Sequence, residues 1–165
     1  MKMNEKLADA IIDFAKAHGM TVAVAESCSA GRLAQIFSKA EGASKHFLGG
    51  VVAYTKQTKT RVLAVPSELV EEGTAVCGPV AEAMARGVAI LLKADLAVAI
   101  TGVAGPEPDE DGNPVGLVYC GVASKDGRSR HVRLDSTKRE PEAINEEACH
   151  KALCLLRDFC AVQFS

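Results

Sequence analysis

The sequence predicts an α/β protein, a single domain over residues 1–165 with helices covering both faces of a central sheet. Two patterns carry that reading. Short apolar runs such as Thr21-Val-Ala-Val-Ala25 and Leu96-Ala-Val-Ala-Ile100 suit strands buried on both faces. Stretches of helical spacing separate them, the alternation expected of an α/β fold. A turn at Gly127 joins the last two strand-like runs, so at least one strand runs antiparallel.

The elements follow in order. Leu7, Ile11, Phe14 and Ala15 recur at helical spacing within residues 4–18, and Gly19 is placed to end that helix. The first strand runs to Ala25. Glu26-Ser-Cys-Ser-Ala-Gly31 then leads into a helix ending near Ala40, for which Ser29 is the expected N-cap. Residues 47–54 read as a second strand and 55–63 as a short helix. Pro66 opens a helical turn, and Pro79 opens a longer helix with Val80, Met84, Val88 and Leu91 on one face. The third strand, 96–100, runs into the glycine loop Thr101-Gly-Val-Ala-Gly-Pro106. Residues 107–114 are acidic and carry prolines, which predicts a mobile surface loop. Residues 117–124 form a fourth strand. Residues 130–135 alternate polar and apolar, so the fifth is half exposed and lies at an edge. A helix over 140–164 closes the chain.

Composition excludes several classes. Lys and Arg total 19 against 21 Asp and Glu, which rules out a generally basic nucleic-acid binder. Without tryptophan, and with aromatics at 4%, base-stacking platforms are not expected either. The start, MKMNEKLADA, lacks the apolar core of a signal peptide. Lys93 and Asp95 break the longest apolar runs well short of the roughly 20 residues a membrane span needs. None of the six cysteines forms a CxxC pair, and Cys149, Cys154 and Cys160 fall in the apolar pattern of the last helix. Reduced core thiols in a cytoplasmic protein, with no metal and no cofactor, are expected. The carboxylates of 107–111 lack the calcium-loop pattern and read as solvated.

Ligands of open α/β sheets bind at the carboxyl ends of the strands. Three polar segments converge there: Glu26–Gly31, Tyr54–Lys59 and Thr101–Gly105. Singly, each has an ordinary reading as a helix cap, a solvated helix face or a plain turn. Neither GxGxxG nor a phosphate-loop GxxxxGK[ST] is present. Ser27 sits between a strand and a helix, where its hydroxyl projects from a tight turn with helical amides behind it. None of His18, His46, His131 and His150 falls at a core strand's carboxyl end, so a histidine base is not expected. A lysine can take that role where burial lowers its pKa. If the first two strands are neighbours, about 4.8 Å apart, Lys59 can reach Ser27.

Five segments together resemble the CinA carboxy-terminal domain family. Ala25-Glu-Ser-Cys-Ser-Ala-Gly31 is similar to its AESCTGG segment, and Tyr54-Thr-Lys-Gln-Thr-Lys59 to its YSNxxK segment. Ala75-Val-Cys-Gly resembles GAVS, Ile100–Pro106 resembles SGxAGP, and Pro114-Val-Gly-Leu-Val118 resembles KPVGxV. They come in family order over nearly the whole chain. The resemblance implies a three-layer α/β/α sandwich with a mixed, mostly parallel five-stranded sheet, usually a homodimer. It implies a nicotinamide-nucleotide amidase, converting nicotinamide mononucleotide and water to nicotinate mononucleotide and ammonia without a metal. The family's serine nucleophile falls on Ser27, its tyrosine on Tyr54 and its lysine on Lys59. The domain that precedes this one in longer members is not in this sequence.

Three positions depart from the family: Lys56 replaces its asparagine, Ala30 the first glycine of TGG, and Cys77 the serine of GAVS. Lys56 is expected beside Lys59, lowering its pKa by repulsion. On this reading Ser27 attacks a carboxamide, Lys59 takes and returns the proton, and Tyr54 orients the pair or relays the proton. Amides around Ser29, Ala30 and Gly31, or at Gly102, hold the oxyanion. Glu26, Arg32, Thr101, Gly102 and Gly105 complete the expected substrate contacts, with Arg32 as counter-charge to a phosphate. The alternatives are a non-catalytic nucleotide-binding or protein-interaction domain, and a thiol enzyme using Cys28.

Overall fold

The computed structural model describes residues 2–164. Strands β1 (Val22–Glu26), β2 (Phe47–Val52), β3 (Leu96–Gly102), β4 (Leu117–Ser124) and β5 (Ser129–Asp135) form one sheet in the order β2-β1-β3-β4-β5. β1 pairs in parallel with both β2 and β3, and β4 pairs antiparallel with β3 and β5. Only β4 therefore runs against the others, and β5 is the edge strand expected of its alternating pattern. The helices are α1 (Lys2–His18), α2 (Arg32–Ser38), α3 (Ala43–His46), α4 (Lys56–Leu63), α5 (Gly78–Leu92) and α6 (Pro141–Gln163). The turn opened by Pro66 continues into a π-type turn over Leu69–Gly73.

Residue size decides how the helices sit on the sheet. Within β1 and β3 one face presents Val22, Val24, Leu96, Val98 and Ile100 to α1, α2 and α6. The other presents Ala23, Ala25, Ala97 and Ala99 to α4 and α5. Small side chains let α5 lie close. At Gly121 on β4, a Cβ would stand 2.4 Å from the Ala81 carbonyl carbon of α5, so glycine is required there. α4, the helix that carries Lys59, packs in turn on α5, where a Cβ at Gly87 would stand 2.0 Å from the Leu63 carbonyl oxygen.

Two expectations are corrected. Ser29 does not cap α2: Gly31 holds the N-cap position with φ +100°, and Ser29 lies within the turn before it. The physical reason is a competing acceptor, Glu26, described below. The acidic loop is at the surface but is not loose. Asp109 accepts the amides of Asp111 and Asn113 at 3.1 and 2.8 Å, and Asn113 Nδ2 donates to Thr74 Oγ1 at 2.7 Å. No helix among the described residues is long and apolar enough to cross a membrane.

Candidate active site

The side chain of Lys59 begins on α4 and ends at Ser27. Thr55 caps α4, its hydroxyl accepting the Thr58 amide at 3.1 Å. The inward stripe of that helix is Lys59 and Leu63, four residues apart and both buried. Where β2 ends, the Ala53 amide donates to the Glu26 carbonyl at 2.8 Å, drawing the chain across the carboxyl end of β1. The carbonyls of Ala53 and Tyr54 are thereby stationed beside Ser27. Lys59 Nζ donates to Ser27 Oγ at 2.9 Å, to the Ala53 carbonyl at 2.8 Å and to the Tyr54 carbonyl at 3.2 Å. Ser27 Oγ lies 3.4 Å from the same Tyr54 carbonyl.

Burial decides the electrostatics. Lys59 is 1% exposed, and desolvation brings its pKa down from the usual 10.5 to about 8. At neutral pH roughly a tenth of such amines are unprotonated, about two to three hundred times more than for an ordinary lysine. A neutral amine 2.9 Å from a hydroxyl can accept its proton. Lys56 does not produce this shift. Its Nζ turns to Asp111 Oδ1 at 2.7 Å and Glu110 Oε1 at 3.7 Å, which corrects the expectation of a repulsive neighbour. Cys28 also stands at the site, but burial pushes its thiol up to about 12, where it carries almost no thiolate.

Ser27, Lys59 and Tyr54 open onto a cavity of about 650 Å³ at the carboxyl ends of β1 and β3. Thr101, Gly102 and Gly105 line it as expected, although the Thr101 hydroxyl is engaged with the Ala75 carbonyl at 2.7 Å. At Gly102 a Cβ would meet Val118 Cγ2 at 2.7 Å, so glycine lets β4 close against the cavity wall. Tyr54 is 66% exposed, and it is its carbonyl, not its phenol, that meets Lys59. None of the four histidines lines the cavity. No group of three His, Cys, Asp or Glu side chains among the described residues could hold a metal ion.

Glu26, Ser29, Ala30, Gly31 and Arg32 lie behind the cavity rather than on it. The Glu26 carboxylate, 1% exposed, takes the Ser29 hydroxyl at 2.6 Å and the amides of Gly31, Leu33 and Ala34 at 3.2, 3.0 and 2.8 Å. It is the cap of α2, supplied from the preceding strand. The Ala30 amide bonds the Ser27 carbonyl at 3.1 Å. Of the amides expected to hold an oxyanion, those of Ala30 and Gly31 are therefore engaged. Arg32 points to Glu142 and Glu146 of α6, each at 3.6 Å.

Residue patterning missed three participants. The Ala53 and Tyr54 carbonyls leave no side-chain signature. Asp111 was readable only as part of an acidic loop, yet its carboxylate reaches Lys56 across 55 residues.

Residues 4–160 match the CinA C-terminal domain family. A CinA-like protein from Synechococcus sp. (strain RCC307) is 41% identical over 154 residues, which is 93% of this chain and 37% of that protein. The chain spans about a third of the length of the curated relatives it matches. A competence-damaged protein (CinA) superfamily protein from Klebsiella pneumoniae 700603 has a crystal structure that superposes with a TM-score of 0.89 at 30% identity. That match covers 96% of this chain and 98% of the other. A superfamily protein from Escherichia coli superposes with a TM-score of 0.87 at 34% identity, covering 93% and 89%. The fold, the order of its segments and this likeness make the chain a member of the CinA C-terminal domain family.

Proposed function

We propose that this domain hydrolyses the carboxamide of nicotinamide mononucleotide, giving nicotinate mononucleotide and ammonia. The observation that carries the reading is the buried 2.9 Å contact between Lys59 Nζ and Ser27 Oγ, with the lysine pKa brought down to about 8. A serine needs a base, and a buried amine at this distance with a lowered pKa supports that role for Lys59. Ser27 Oγ bonds to the carboxamide carbon as its proton passes to Lys59. The amides of Cys28 and Gly102, two residues that line the cavity, are the donors proposed for the oxyanion. As the C–N bond breaks, Lys59 returns the proton to the departing nitrogen and ammonia leaves. Water then cleaves the acyl ester, restoring Ser27 and releasing the carboxylate.

The cavity supports the substrate. Its volume falls in the range of small-molecule sites. Glu71, Glu107, Asp109, Glu110 and Asp111 all line it, an acidic wall that suits a carboxamide on a positively charged pyridinium ring. The test is ammonia release from nicotinamide mononucleotide. The wild type is expected to release it, and Ser27→Ala to lose several decades of rate. A wild-type protein that binds the nucleotide without releasing ammonia would leave a non-catalytic nucleotide-binding domain instead.

A further inference from the structure

Two lysine side chains line the cavity, Lys59 and Lys56, and they are not equivalent. The Lys59 amine is fully engaged by Ser27, Ala53 and Tyr54 and, as a base, must spend time uncharged. Lys56 stands one helical turn before it on α4, its side chain 17% exposed. Its Nζ holds Asp111 Oδ1 at 2.7 Å, with Glu110 Oε1 at 3.7 Å. Asp111 comes from a different segment, the loop after β3, and also accepts the Ala75 amide at 3.4 Å. The pair raises the Lys56 pKa and lowers that of Asp111, so both stay charged through neutral pH. Lys56 is thus a permanently charged oxyanion receptor at the wall of the cavity, already holding a carboxylate.

We infer that Lys56 is the receptor for the substrate's phosphomonoester, and that Asp111 is the internal anion which the phosphate displaces from it. An ion pair still partly open to solvent is weak. A phosphate dianion brings more charge and three acceptor oxygens to the same ammonium. Glu71, Glu107 and Asp109 line the same space and repel any anion that lacks a cation to meet it. Among the described residues that line the cavity, Lys56 is the cation available beside the engaged Lys59, since Arg32 is turned toward α6. The inference takes the nature of the substrate from the proposed function, but the anion's binding does not depend on hydrolysis.

Calorimetric titration with ribose 5-phosphate and with ribose tests it, because neither probe carries a carboxamide and loss of amidase activity would not disturb the result. The wild type is expected to bind ribose 5-phosphate at least about tenfold more tightly than ribose. Lys56→Gln should lose about that factor for the phosphate and leave ribose unchanged. Asp111→Asn should tighten the phosphate severalfold, and Lys56→Gln placed in that background should abolish the gain. Equal phosphate binding by wild type and Lys56→Gln, no preference over ribose, or an Asp111→Asn gain that survives loss of Lys56 would each overturn the assignment. Should Lys56→Gln alone fail to fold, a weaker rather than tighter Asp111→Asn complex would overturn it as well.

Discussion

The Glu26 carboxylate accepts the Ser29 hydroxyl at 2.6 Å, so the two residues flanking the Ser27–Cys28 pair are bonded to each other and not to the cavity. With the amides of Gly31, Leu33 and Ala34 on the same carboxylate, this contact sets the entry angle of α2 and the position of Ser27. Glu26→Ala would leave a buried hydroxyl and three helix-end amides without their acceptor. We expect a loss of at least about 3 kcal/mol in urea unfolding, and roughly half that for Glu26→Gln, which keeps one acceptor oxygen. The effect should fall on stability. A Glu26→Gln enzyme of unchanged stability and weakened substrate affinity would place that side chain in the binding site instead.

Ala30 occupies the left-handed region at φ +50° with its side chain exposed. A Cβ is strained there and glycine is not. Ala30→Gly is expected to stabilise the protein by about 0.5–1 kcal/mol, after allowing for the greater freedom of glycine in the unfolded chain. Destabilisation on that change would show that the methyl group packs in a way its exposure denies.

Burial of Lys59 has a thermodynamic signature. Its pKa is about 8 folded and 10.5 unfolded, so between those values the unfolded chain binds more protons and stability rises with pH. Below pH 8 the penalty of burying the ammonium is fully present, about 3 kcal/mol before its hydrogen bonds are restored by any substitute. Lys59→Met removes this dependence. Its stability relative to wild type should be most favourable at pH 7 and decline as pH climbs from 8 to 10.5. A difference that stays constant across that window would mean Lys59 titrates normally.

Much of this arrangement is legible in the residue pattern, and what is not legible has a physical cause. The alternation of branched residues and alanine in β1 and β3 announces strands buried on both faces. It does not announce that the alanine face brings α5 close, because that follows from packing. Strand adjacency leads from Ser27 to Lys59, since side-chain reach is a local property. The cap of α2 misleads: a serine at the expected position is a strong local signal, but a buried carboxylate from the preceding strand outcompetes it. Lys56 misleads for a similar reason. Spacing puts it on the same face as Lys59, while an aspartate 55 residues away draws its ammonium elsewhere.

Cys28 separates two chemistries. With its thiol pushed up to about 12, alkylation by iodoacetamide at pH 7.5 should be slow and Cys28→Ala should retain most ammonia release. Ser27→Ala should not. The reverse pattern would make Cys28 the nucleophile.

The most direct test of the Ser27–Lys59 assignment is the pH profile of kcat/KM for ammonia release from nicotinamide mononucleotide. The base must be neutral, so the account predicts a unit-slope rise from pH 6 that levels near pH 8, the pKa of the buried amine. Because the Lys56 ammonium is turned to Asp111, Lys56→Gln should leave that apparent pKa where it is. Lys59→Arg should be nearly inactive, since a guanidinium keeps its proton throughout this range. A flat profile from pH 6 to 9, or an active Lys59→Arg enzyme, would contradict the assignment.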